Sequence, residues 1–265
     1  MIVKENDTIV LIEGNHFKYY LDKHTGLFSK LVYNDVDQIA KPVEINIWRE
    51  PTYSDMYIKQ EWYREQYDKS SARAYNTAVE KKDHTVVVQS GMALVADTVH
   101  RILDMETVWT VDAAGVIVLN IKVKRCQQLP VLPRFGIRLF LNQEMDKVTS
   151  YGIEPVECFG NQPQKNKRYS DSNSSYVAIE SETCGIMATS ENIFSFDVLA
   201  DTQKELANPK NKFELNKSEG GVLCLDYVQE GAVPNSFGPG TLPQYRLEEK
   251  QFDFNIKLAP YTKGE

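Results

Sequence analysis

Turn-forming residues recur about every ten positions along the first forty residues, and short runs of alternating apolar and polar residues fill the gaps. Thr8–Ile12 is followed by a turn at Gly14-Asn15, His16–Asp22 by a turn at His24-Thr25-Gly26, and Leu27–Tyr33 by Asn34-Asp35. That rhythm is too short for helices, and it predicts an antiparallel meander. Gly26 is the expected left-handed position of the second turn, because only glycine adopts that conformation without a steric cost.

The same pattern resumes from Thr85, with strands expected over Thr85–Gln89, Met92–Thr98, Arg101–Val111 and Val116–Val123. The hairpin Met105–Val123 is the clearest, pairing Val108-Trp109-Thr110-Val111 with Val116-Ile117-Val118-Leu119 across Asp112-Ala113-Ala114-Gly115. Further strands are expected at Arg134–Leu141, Val148–Ile153, Tyr176–Ile179, Gly185–Thr189, Phe194–Leu199, Gly221–Val228 and Gln251–Leu258. Between the two groups, Ile58–Tyr67 changes period. Ile58 with Trp62 and Tyr63 with Tyr67 are spaced four apart, which predicts one short amphipathic helix, and the polar stretch Ser70–Lys82 reads as a link from it to the next strand. Some fifteen strands in 265 residues, 42% of the residues being apolar, exceed one small sandwich and call for two large antiparallel sheets face to face; a single domain over 1–265 is ordinary for such a chain, with two domains as the alternative.

Charge and cysteine usage exclude several classes. A formal charge of −7 gives no reason to expect nucleic acid, and the basic run Lys165–Arg168 sits among Asn, Gln and Ser as a solvated loop would. Cys126, Cys158, Cys184 and Cys224 lie far apart with no Cys-x-x-Cys pair, as expected of buried thiols in a reducing, cytoplasmic compartment. Thr8–Ile12 is too short for a signal segment or a membrane span, so no membrane partner is expected. Met1 followed at once by a strand pattern is compatible with a natural small subunit and with a piece of a longer protein.

The region Gly220–Leu247 departs from the rhythm. A strand over Gly221–Val228, with Asp226 and Tyr227 interrupting its apolar residues, runs into Gly231, Pro234, Gly238, Pro239, Gly240 and Pro243. Neither helix nor central strand can form there, so the chain builds a stiff loop with Phe237 in its middle. Such a ring either folds back to plug the sheet end or is presented outward, with Asn235 and Ser236 as polar contacts beside it. Of the other candidates, Glu154 and Glu157 lie close together but read as ordinary surface acids. The four histidines, His16, His24, His84 and His100, fall near turns and strand starts. Nucleophile-elbow, phosphate-loop and zinc-protease motifs are absent from the sequence, and no metal cluster is suggested.

Several motifs, in order along the chain, carry a family resemblance. Asn235-Ser236-Phe237-Gly238, Pro243, Gln244-Tyr245-Arg246-Leu247 and Phe252-Asp253-Phe254 resemble the C-terminus of family 2 β-galactosidases, where an Asp-Ser-Trp-Gly motif closes the last domain. Leu132-Pro133-Arg134-Phe135-Gly136-Ile137 is similar to that family's Pro-Arg-Ile/Phe-Gly strand, and Tyr151-Gly152 with Pro155 and Glu157 to its Tyr-Gly-x-Gly-Pro-x-Glu-x-Tyr motif. Arg49, Pro51, Thr52 and Asp55, with Trp62 following, resemble its Arg-x-Pro-Thr-Asp-Asn-Asp segment. Phe237 replaces the family tryptophan, Asn235 its aspartate, Glu154 a glycine, Phe159 a tyrosine and Tyr53-Ser54 an Asp-Asn pair, while no Asp-Arg is evident in Asn161–Arg168.

The resemblance implies an all-β, galactose mutarotase-like supersandwich that serves as the small chain or C-terminal domain of a β-galactosidase. It also implies that both catalytic glutamates sit on a separate (β/α)₈ barrel, in a catalytic domain or large subunit, with magnesium and sodium at sites outside this region. No catalytic residue, metal ligand or cofactor is then assigned to this chain. Asn235, Ser236 and Phe237 are its expected substrate-binding residues, the partners being the barrel and a galactoside sugar in an oligomeric enzyme. A free-standing carbohydrate-binding module and a mutarotase-like enzyme are the alternatives; the latter would need a histidine acid and a carboxylate base over the sugar ring.

Overall fold

The computed structural model describes residues 1–51, 55–97, 100–126, 128–145, 147–152, 169–199, 221–229 and 247–263. Five strands, β1 (Ile2–Glu5), β2 (Ile9–Glu13), β3 (Phe17–Asp22), β4 (Leu27–Tyr33) and β5 (Val36–Asp37), form the expected antiparallel meander in chain order. Gly26 has φ +71° and donates its N–H to the Asp22 carbonyl at 2.8 Å. Asn34 and Asp35 both have positive φ, the geometry of a turn whose twist matches that of the strands it joins.

The rest of the chain builds one large antiparallel sheet. Its strands are β6 (Ile39–Asn46), β7 (Ser71–Lys82), β8 (Thr85–Val95), β9 (Arg101–Asp112), β10 (Ile117–Arg125), β11 (Arg134–Leu141), β12 (Lys147–Gly152), β13 (Tyr169–Glu180), β14 (Cys184–Leu199), β15 (Val222–Gln229) and β16 (Gln251–Thr262). The spatial order is β6-β11-β15-β14-β16-β10-β9-β8-β7, with β13 also pairing β14 and β12 pairing β13.

The two sheets meet through aromatic side chains that the alternation points inward. Trp109 on β9 is fully buried, donates its indole N–H to the Gly26 carbonyl at 3.0 Å and meets Phe28 edge-on at 4.8 Å. Tyr19 donates its hydroxyl to the Gly115 carbonyl at 2.7 Å, and burial holds its phenol well above the usual tyrosine range. Each such buried ring contributes about 1.5–3 kcal/mol of hydrophobic stabilisation. The pairing of Trp109 with Leu119 and of Val111 with Ile117 is that of the predicted hairpin.

Two expectations need correcting. Ser71–Lys82 is a twelve-residue strand rather than a link. As an edge strand it buries only small or single apolar residues, with Ala72, Ala74 and Val79 packed on the core, and its other face is polar, so its periodicity is faint. The helix α1 is also shorter than its aromatic pattern: it spans Lys59–Arg64, and a separate 3₁₀ turn covers Tyr67–Lys69 after Gln66 adopts φ +57°. Trp62 and Tyr67 are nonetheless both fully buried.

Candidate functional site

Asn235, Ser236 and Phe237 lie outside the described residues, as do Thr52, Tyr53, Ser54, Glu154, Pro155, Glu157 and Phe159. What the structure does give is the mount from which the Asn235–Gly238 loop leaves and to which it returns. Gln229, the last residue of β15, pairs with Arg134, and Leu247 forms a bridge with Leu132. Both roots of the loop are therefore fixed to the same three-residue stretch, Leu132–Arg134.

Neighbouring elements brace the residues just before that stretch and the second root of the loop. Trp62 on α1 donates its indole N–H to the Val131 carbonyl at 2.8 Å, and Tyr67 on the 3₁₀ turn donates its hydroxyl to the Pro130 carbonyl at 2.8 Å. Arg49, just beyond the end of β6, makes a buried bidentate pair with Asp55 at 2.5 and 2.9 Å and lies 5.4 Å from the Trp62 ring centre. The fork geometry of guanidinium on carboxylate fixes orientation as well as charge. From β10, Arg125 donates to the Leu247 and Glu248 carbonyls at 3.4 and 3.3 Å.

Beneath the mount lies a charge cluster with no exposed surface. Arg134 donates from Nε to Asp226 Oδ1 at 3.1 Å, from a terminal nitrogen to Asp226 Oδ2, and pairs with Asp197 Oδ2 at 3.0 Å. Burial is the main influence on Asp226, and with repulsion from Asp197 it outweighs the guanidinium, pushing the carboxyl up to about 6. Arg134 stays charged, its two carboxylate neighbours holding it above the ordinary range against the cost of desolvation. Burial likewise raises the Cys224 thiol to about 12, leaving it protonated and inert. Complete burial keeps any sugar from Arg134, Asp197 and Asp226, so the cluster is a clamp beneath the loop root rather than an acid–base pair.

Gly136 explains the glycine of the Leu132–Ile137 motif. Phe135 faces Val228 but Gly136 faces Asp226, so Tyr227 is the extra residue of a β-bulge. A Cβ on Gly136 would collide with the Leu225 carbonyl oxygen across that bulge. The bulged Tyr227 stacks on Phe252 at 4.9 Å and donates to Glu249 at 3.1 Å, tying β15 to the chain just past the loop's second root.

Thus the structure brings together Arg49, Asp55, Trp62, Leu132–Gly136 and the two ends of the glycine- and proline-rich loop. Tyr151 and Gly152 lie elsewhere, on β12, where Tyr151 is exposed and stacked on Tyr176 at 6.3 Å. Asp197 was not singled out by sequence, and Asp226 registers there only as a polar break. The available signal was Arg134 itself, because an arginine inside an apolar strand requires buried counter-charges.

The fold falls in the class of mutarotase-like β-supersandwiches. A galactose mutarotase-like protein from Lactobacillus casei ATCC 334 aligns with a TM-score of 0.54 and 12% identity, covering 96% of this chain and all of that one. Galactose 1-epimerase from Lactobacillus acidophilus NCFM aligns at 0.52 and 7%, with 98% of each covered. At such identities the likeness is one of fold alone. The particular family comes from sequence: the model of the β-galactosidase small chain matches residues 13–258, and the chain belongs to that family. The β-galactosidase of Actinobacillus pleuropneumoniae is 30% identical over 97% of this chain, and that of Staphylococcus xylosus 26% identical over 98%. This chain spans only 27% and 28% of the length of those two proteins.

Proposed function

We propose that this chain supplies one wall of a galactoside-binding pocket whose catalytic acid and nucleophile come from a (β/α)₈ barrel on another segment or subunit. The Asn235–Gly238 loop reaches the mouth of that pocket, where Phe237 stacks on the sugar in the acceptor position while Asn235 and Ser236 offer polar contacts. Hydrolysis of a terminal β-galactoside then proceeds on the barrel by double displacement between two carboxyl groups. The observation that carries this reading is the anchoring of both loop roots to Leu132–Arg134, braced by Trp62, Tyr67 and Arg125. A loop that only plugs a sheet end needs no such bracing, whereas a loop that must hold a ring against a sugar gains affinity from a fixed base.

The test is reconstitution with the barrel-bearing partner. Phe237→Ala is expected to weaken acceptor binding by about 1–2 kcal/mol with little effect on unfolding, and the chain alone is expected to leave a chromogenic galactoside intact. If Phe237→Ala instead lowers stability by several kcal/mol and leaves transfer kinetics unchanged, the ring is a plug and the proposal fails.

A further inference from the structure

We infer that the solvent face of the large sheet carries a second saccharide site, a groove across β7, β8, β9, β10 and β16 that takes a neutral oligosaccharide. The groove has a volume of about 480 Å³, within the range of small-molecule sites. Of the strands that line it only β16 borders the segment that holds Asn235–Phe237, which lies between β15 and β16 in the chain.

Three local features shape it. First, Tyr75 faces outward by the alternation of β7, and the shift in the pairing of β7 with β8 between Ala74 and Asn76 makes it a bulged residue, so that Asn76 beside it is exposed as well. Tyr75 remains 54% exposed, with the Arg101 guanidinium 4.8 Å from its ring centre. A flat, half-exposed ring steadied by a cation is a platform for the apolar face of a pyranose. Second, Gly91 lies opposite Asn76 and donates its N–H to the amide oxygen at 2.6 Å; a Cβ there would sit 2.6 Å from that oxygen, so glycine keeps the groove floor low.

Third, Glu106, Lys122 and Asp253 face one another on successive strands, all exposed, and among the described residues none of the three closes into an ion pair or a side-chain hydrogen bond. Opposite charges in register across a sheet ordinarily pair. Left apart, they present acceptor, donor and acceptor in a row. The lining carries Asp104, Glu106 and Asp253 against Lys122 and Lys124, close to charge balance, so it selects neither an anion nor a cation. Vicinal hydroxyls, each both donor and acceptor, match that row, and a neutral sugar matches the balance.

The experiment titrates the full chain with lactose and with β-1,4-galactotriose, by calorimetry and by backbone amide NMR. Binding is expected with shifts concentrated in β8, β9, β10 and β16, tighter for the trisaccharide. Tyr75→Ala and Glu106→Gln, both at exposed positions, are each expected to weaken it about tenfold, and Gly91→Ala to weaken it by displacing Asn76. Phe237→Ala is expected to leave it unchanged, which separates this site from the loop. The inference is overturned if neither sugar shifts those strands, if Tyr75→Ala and Glu106→Gln bind as the parent does, or if Phe237→Ala abolishes the binding.

Discussion

Replacing Arg134 with methionine tests whether the mount beneath the loop is held by its buried charges. Arg134, Asp197 and Asp226 have no exposed surface, and the guanidinium meets both carboxylates at hydrogen-bonding distance. Methionine fills much of the arginine volume, so the lost quantity is electrostatic: two carboxylates stay in a dry interior without the guanidinium between them. Removing one partner from a buried ion pair costs about 3–5 kcal/mol, a large share of the 5–15 kcal/mol typical of a folded domain. Urea unfolding followed by the fluorescence of Trp48, Trp62 and Trp109, all buried, measures it directly. Arg134→Lys keeps the charge but not the fork and should fall between parent and methionine variant. Arg134→Met combined with Asp226→Leu should recover part of the loss, since an apolar replacement of both partners no longer strands a charge on that side. A loss below about 1 kcal/mol for Arg134→Met, the size of an exposed ion pair, would refute the claim that this cluster is dry and that it holds β11 against β15.

Gly26→Val should destabilise the protein by about 1–3 kcal/mol, because a β-branched residue would be forced to φ +71° with its Cβ 3.2 Å from that of Ser90; thermal unfolding of the variant reads this. Tyr67→Phe should cost about 1 kcal/mol by leaving the Pro130 carbonyl without its donor, a loss visible in denaturant midpoints. The raised Asp226 carboxyl gives a pH signature. The unfolded chain releases that proton near 4 and the folded chain near 6, so the folded state binds more protons in between. This group's contribution to stability is therefore full below pH 4 and is lost as pH rises through about 6. Unfolding free energies of the parent and Asp226→Asn, compared across pH 4–7, should differ in slope in that window; parallel curves would show the carboxyl to be unshifted.

The fold class was legible because turn chemistry is local. Asn34-Asp35, Gly26 and Gly115 each need a backbone conformation that their own residue type supplies, and the alternation between them sets which faces are buried. Strand continuity was harder to read. Gly185–Thr189 and Phe194–Leu199 belong to one sixteen-residue strand, because the polar Ser190-Glu191-Asn192 lies across from an irregular part of β13 and Ser190 donates to the Asn255 carbonyl at 2.8 Å. The site divides in the same way. The family resemblance singled out Arg49, Asp55 and Arg134, and helical spacing Trp62, but the convergence of Asp197 and Asp226 on Arg134 is set by strand order, which no local pattern encodes. Nor could a row such as Glu106, Lys122 and Asp253, drawn from three strands, be seen in any single stretch of chain.

The place of β16 has a consequence for how the molecule is made. Its first part pairs with β10 and its last part with β14, so among the described residues the strand ladder joins the two flanks of the large sheet through residues 251–262. During synthesis, β6 to β15 can emerge as two incomplete half-sheets, each with an open edge awaiting the same late strand. Until the ribosome has released residue 262, those edges are available to other chains, and protection of the nascent polypeptide by a chaperone would matter most over that interval.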